Sequence, residues 1–197
     1  MPRSKKLSEE MRTAAKEKIL SAALQLFIEK GIASTGIKAI AASAGVSTGL
    51  LYHYFKTKDE IFVTLVRQVM DMQDQFAETL LEQDPATFLK QWIDFVLTDI
   101  ANNGEFTRMM NLLTCAFLED KDFPGRAEIL ESSRNFTIRL EAFILKGQTE
   151  GVFKKGNPAA MAQLLLIMLM GLSDWRIDPE DKLTLPTTEM ITAYLLI

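Results

Sequence analysis

From Ser47 to Lys58 the sequence reads STGLLYHYFKTK, and it holds the groups best placed to do chemistry. Helical spacing puts Thr48, Gly49, Tyr52 and His53 on one side and Leu51 and Phe55 on the other. The chemistry is non-covalent. Small, hydroxylated and aromatic-polar groups on one short face suit a helix lying in a DNA major groove. Ser47 can cap that helix through its hydroxyl, and a phosphate contact is its second role. Covalent chemistry is poorly supplied. The chain has one histidine, His53, and one cysteine, Cys115, and lacks HExxH, CxxC, P-loop and GxSxG patterns. No carboxylate pair has a reason for a shifted pKa. The expectation is a protein that is not an enzyme, with no metal site and no cofactor. The single cysteine allows no internal disulfide and suits a reducing cytosol, so a cytoplasmic protein is expected. Cys115 reads as a buried core thiol.

These groups need elements to hold them. Ile37, Ile40, Ala41 and Ala44 recur at helical spacing and predict a short helix. Gly45 supplies the left-handed stop before the second short helix. A first helix, predicted from about Ser8 to Lys30, buries Ile19, Ala22, Ala23, Leu26 and Phe27 beneath the pair, and Gly31 ends it. Residues 1–7 read as a mobile basic arm. After the pair, Thr57 and Glu60 form a capping box for a long helix predicted to run to about Leu81. That helix starts in one domain and ends in the next, which makes it a natural lever.

Charge is divided unevenly. Residues 1–67 hold eleven Lys and Arg against six acids, whereas the remainder holds eleven against twenty. The overall charge of −4 therefore hides a basic, polyanion-binding end.

The segments ILSAALQLFIEKG and TGIKAIAASAGVSTGLLYHYFKTKDEIF resemble the DNA-binding domain of the tetracycline-repressor (TetR) family of bacterial transcriptional regulators. The resemblance covers about the first third of the chain. It implies an N-terminal helix-turn-helix domain at 1–56 and a ligand-binding and dimerisation domain at 57–197, with helix 57–81 linking them. It also implies phosphate contacts from the backbone at Thr35 and Gly36, from Lys38 and Tyr52, and a backbone clamp at Lys58. Thr48, Gly49 and His53 face the bases. Gly36 and Thr48 depart from the family's usual hydroxyl and lysine. They leave open a helical ligand-binding or protein-interaction dimer with weak or lost DNA binding.

The rest of the chain continues as amphipathic helices, giving an all-α fold of about nine. Asp84-Pro85, Asn102-Asn103-Gly104, Gly151 and Asn157-Pro158 mark boundaries, with polar loops at 119–125 and 178–181. The run from Ala159 to Leu172 is apolar on more than one face but shorter than the ~20 residues of a membrane span. No membrane role is expected. Leu164, Ile167, Met168 and Gly171, with Tyr194 from a last helix reaching the chain end, are candidates for a homodimer interface. Two recognition helices ~34–36 Å apart would occupy successive major grooves of a pseudopalindromic operator. The resemblance implies a small-molecule effector, and repression as the usual mode. Trp92, Phe106, Met109, Met110, Leu113, Phe136, Met168 and Trp175 are candidate lining residues for a largely apolar one.

Overall fold

The computed structural model describes residues 2–118, 125–174 and 184–197, with side chains at 11–116, 125–173 and 184–197. These residues form nine α-helices: α1 Pro2–Lys30, α2 Ile37–Ser43, α3 Thr48–Tyr54, α4 Lys58–Thr79, α5 Pro85–Ala101, α6 Glu105–Leu118, α7 Arg126–Thr149, α8 Pro158–Asp174 and α9 Thr188–Thr192. A single 3-10 turn, Leu80–Glu82, extends α4. The all-α expectation holds, and among the described residues there is no strand. Trp175 and the expected loops at 119–124 and 178–181 lie outside the described residues.

The first helix begins at Pro2 rather than Ser8, so the backbone of the basic arm is helical. Nothing in residues 2–7 stops a helix, since proline is tolerated in the first turn and lysine and leucine are good helix formers.

By contacts the chain divides into two compact units, Met1–Gln68 with Leu112–Gly125, and Val69–Asn111 with Arg126–Ile197. This division falls within α4, about three helical turns past the boundary predicted at 56/57.

In the first unit Ile19, Ala23, Phe27, Ile40, Leu51, Phe55, Ile61 and Phe62 are buried together. The Phe27 and Phe62 rings meet edge to face at 6.0 Å, an arrangement aromatic quadrupoles favour.

The second unit is built on aromatic contacts. Phe76 lies 5.1 Å from Trp92, 5.6 Å from Phe88 and 6.2 Å from Phe136 between ring centroids. Asp84 caps α5 by accepting the Thr87 N–H at 2.9 Å, and hydrogen bonds from Thr87 hold its carboxyl below the usual value. Lys146 of α7 donates to the Leu81 and Gln83 carbonyls at 2.9 and 2.7 Å, which ties the α4–α5 turn to α7.

The last helix does not reach the chain end. α9 has five residues, after which the chain pairs with the loop following α7 through one antiparallel bridge, Phe153 to Leu196. Lys154 N–H donates to Leu195 C=O at 2.7 Å, and Ile197 N–H to Val152 C=O at 3.3 Å. Fully buried Leu195 explains the turn: its side chain enters the core, and the bridge then satisfies the backbone groups carried in with it.

Gly147 sits inside α7, where glycine is normally unfavourable. Its reason is contact, since a Cβ there would lie 2.3 Å from the Phe153 ring. Replacing Gly147 by Ala should cost roughly 1–3 kcal/mol through overpacking. A chemical denaturation midpoint unchanged from the native protein would refute this packing.

Candidate nucleic-acid interface

The recognition element is α3, and local signals fix both its ends. α2 stops at a Schellman turn. Gly45 takes φ +65°, with its N–H on Ala42 C=O at 3.2 Å and the Val46 N–H on Ala41 C=O at 3.0 Å. Ser47 then caps α3, its Oγ accepting the Leu50 N–H at 3.1 Å. Burial orients the helix. Leu51 is fully buried and Phe55, just past the helix end, is nearly so. At about 1.5–3 kcal/mol for each such side chain, rolling α3 over would cost more than any polar contact it could gain. Gly49, Tyr52 and His53 are left exposed and Thr48 half-buried.

Tyr52 is 46% exposed and presents its phenol outward. His53 is exposed and meets the Tyr54 ring edge-on at 5.3 Å. A Cβ at Gly49 would meet only the Ser47 hydroxyl, at 3.9 Å, so the glycine leaves open approach rather than relieving a clash. Leu50 is exposed on the same element. Lys56 adds a cation at the end of α3. Its Nζ donates to the Tyr52 carbonyl at 3.1 Å, and two of its three protons remain. Sequence reasoning passed over Lys56, although a lysine just past a recognition helix was the available signal.

Two predicted contacts are corrected. Thr35 is buried, its hydroxyl donating to the Gly31 and Leu26 carbonyls at 2.8 and 3.2 Å and its own N–H to Ile32 C=O at 3.3 Å. Its groups hold the α1–α2 turn and are spent there. Lys58 is likewise committed. Its ammonium donates to Ile32, Ala33 and Thr35 carbonyls at 2.7, 2.9 and 3.1 Å. An ammonium has three protons, and all are used. The geometry makes Lys58 a positioning residue in place of a phosphate clamp. Gly36 and Lys38 stay exposed at the start of α2, whose N-terminus has no side-chain cap. The capping box is shifted by one residue. Thr57 accepts from Glu60 N–H at 3.1 Å, but Glu60 reaches back to Lys56 N–H at 2.7 Å and not to Thr57.

Of the candidate effector residues, Trp92 and Phe136 are buried in the core of the second unit, with Phe106 and Met168 packed against that core. Met109 and Met110 are half-buried on α6. Leu113 is buried and belongs to the first unit. A groove of about 400 Å³ in the second unit is lined by Asp74, Glu78, Asn135, Ile138 and Arg139.

Of the dimer candidates, Leu164, Ile167 and Gly171 are exposed on one face of α8. Met168 turns to the core. Tyr194 is half-buried, its hydroxyl donates to Met161 C=O at 2.9 Å within the same chain, and burial pushes the phenol pKa up. Among the described residues no cluster of His, Cys, Asp or Glu could hold a metal, and no helix is long and apolar enough to cross a membrane.

Comparison with known proteins places this geometry. Residues 19–65 match the family described as bacterial regulatory proteins, tetR family. The chain is 46% identical over 70 residues to the HTH-type transcriptional regulator HbdR of Aromatoleum sp. strain CIB; the match spans 36% of this chain but only 29% of that regulator. It is 28% identical over 166 residues to an HTH-type transcriptional repressor of Streptomyces coelicolor, spanning 83% of this chain and 79% of the repressor. The crystal structure of the MbdR regulator from Azoarcus sp. CIB superposes with a TM-score of 0.71 at 26% identity, over 91% of this chain and 93% of that one.

Substituting Lys58 by Met should lower the melting temperature, because three carbonyls of the α1–α2 turn lose their donor. It should leave the slope of log affinity against log salt for DNA unchanged. A slope shallower by about 0.9 would instead mark a lost phosphate contact and overturn the positioning role.

Proposed function

We propose that this chain, which carries the DNA-binding domain of the tetR family of bacterial regulatory proteins, is an effector-responsive transcriptional repressor that binds a pseudopalindromic operator as a homodimer. The observation that carries the reading is the division of α3. Leu51, with Phe55 beyond its end, locks the element down, while Gly49, Tyr52 and His53 stand free beside half-buried Thr48. Tyr52, Lys38, Ser47 and the backbone at Gly36 serve phosphates and set register. Thr48 and His53 read base edges, and Gly49 lets the backbone come close.

One α3 binds weakly alone, so the reading needs two. The α7–α8 pair supplies a face for a second copy. Ala162, Leu165 and Leu169 bury one side of α8, while Leu164, Ile167 and Met170 leave its other side apolar and exposed. Ile138 and Leu145 are apolar and exposed on α7, which packs against α8. Contiguous apolar surface rimmed by polar groups is how association faces look. Gly171 meets nothing within 4 Å and admits close approach of a partner helix. Effector binding in the second unit favours one position of α4 over another, and α4 carries the change to the helix-turn-helix. The effector can shift that equilibrium only by its difference in affinity for the two states.

The reading is tested by selecting an operator from random duplexes and titrating it by fluorescence anisotropy across a salt series. Log affinity should fall linearly with log salt. Tyr52→Phe should weaken all duplexes alike, whereas Thr48→Ala should relax preference at one base pair by about 1–3 kcal/mol. Salt-independent affinity would remove the DNA reading.

Ile167 is 66% exposed, and Ile167→Asp should give a monomer by light scattering that has lost operator affinity but keeps its melting cooperativity. A stable Ile167→Asp dimer would place the interface elsewhere.

A further inference from the structure

A polyanion laid along α3 meets a difficulty at the C-terminal end of that helix. Carbonyls of a last turn have no helical partner and carry partial negative charge, which repels phosphate. In α3 the Leu51 carbonyl is answered by the Phe55 N–H at 2.9 Å. In a helix continued by one residue the Lys56 N–H would answer Tyr52. That N–H goes instead to Glu60 Oε2 at 2.7 Å, which fixes the α3–α4 turn. The Tyr52 carbonyl is met by the Lys56 ammonium at 3.1 Å. One residue thus closes the turn with its backbone and covers the negative end of α3 with its charge.

A lysine on a surface ordinarily gives up side-chain freedom to make any contact. Lys56 has given up part of that freedom already. Its backbone is held by Glu60 and its Nζ by Tyr52, while the side chain stays exposed. Among the described residues no carboxylate forms an ion pair with the ammonium. One proton is used and two remain for an acceptor from outside. Lys58 is the contrast, since its three protons all go to carbonyls of the α1–α2 turn.

The neighbour selects the acceptor. The residue whose carbonyl seats the ammonium is Tyr52, whose phenol side chain is 46% exposed. A phenol donor and a half-free ammonium therefore leave α3 from one residue position. An ammonium is a compact point charge without a fork, which suits a phosphate oxygen better than the paired atoms of a base edge.

We propose that Lys56 is a phosphate contact, acting beside Tyr52 at the C-terminal end of α3 in the role that Lys58 is too committed to fill. The proposal rests on the DNA reading of α3, for which it names the cation. A phosphate contact fixes register and strengthens binding to every duplex alike, without reading bases.

The test uses three variants of the full chain. Lys56→Gln removes the charge and keeps an amide that can donate to the Tyr52 carbonyl. Lys56→Arg keeps the charge. Lys155→Gln removes the same charge from an exposed position in the second unit. Each is titrated by fluorescence anisotropy, over a salt series, with a duplex selected from random sequence and with an unselected duplex. Lys56→Gln should make log affinity against log salt shallower by about 0.9 for each α3 bound. It should weaken both duplexes by similar factors, about tenfold or more at the lowest salt, and melt cooperatively. Lys56→Arg should keep the native slope, and so should Lys155→Gln.

A native slope in Lys56→Gln, an equal loss of slope in Lys155→Gln, or weakening confined to the selected duplex would overturn the proposal. So would loss of cooperative melting in Lys56→Gln, because closing α3 would then be the work of this residue. The native protein tells the two failures apart. A steep native slope with an unchanged Lys56→Gln removes this contact alone; salt-independent native binding removes the DNA reading and the contact with it.

Discussion

The ammonium of Lys58, seated on three carbonyls of the α1–α2 turn, is the contact on which the presentation of α3 depends. The turn after Gly31 carries several carbonyls that belong to no helix, and such groups need donors. Lys58 supplies them from the first residue of α4, and Thr35 closes the same turn from inside. α3 lies in sequence between these two anchors. Its inner face is fixed by Leu51 and Phe55, and its start by Ser47. Rotation of α4 about its beginning must therefore break charge-assisted bonds or carry the α1–α2 turn with it. The second course costs less, because hydrogen bonds to a charged group are about twice as strong as neutral ones. A rigid link at this point couples the first residue of α4 to the α1–α2 turn.

The same kind of contact recurs at the other end of α4. Lys146 donates to two carbonyls at the turn after the 3-10 segment. Lys58 at the start of α4 reaches back to the α1–α2 turn, and Lys146 of α7 reaches the turn that follows α4, each within its own unit. The first such contact spans up to 26 residues and the second up to 65.

That difference in range explains what the sequence revealed. Ser47, Gly45, Asp84 and Asn157 act on groups within five residues of themselves, so their caps and stops could be read directly. The apolar stripes of α4, α5 and α7 were legible for the same reason, since periodicity is local. Lys58 misled because the surface position was right while its partners lay 23 to 26 residues back. The Tyr194 hydroxyl bond was out of reach of local reading for the same reason, since it meets Met161, 33 residues away. The outward face of α3 was legible because Leu51 and Phe55 leave the helix one orientation. The effector candidates rest on residue type alone, because spacing cannot separate an aromatic that closes a core from one that borders a ligand.

Cations inside the protein also differ in how completely they are answered. Lys58 gives away every proton, and Lys146 makes two bonds to carbonyls with Glu150 3.8 Å away. Both stand where two elements must keep a fixed relation. Arg108 differs at one atom, its Nε, which is buried without an acceptor while the rest of the side chain is partly exposed.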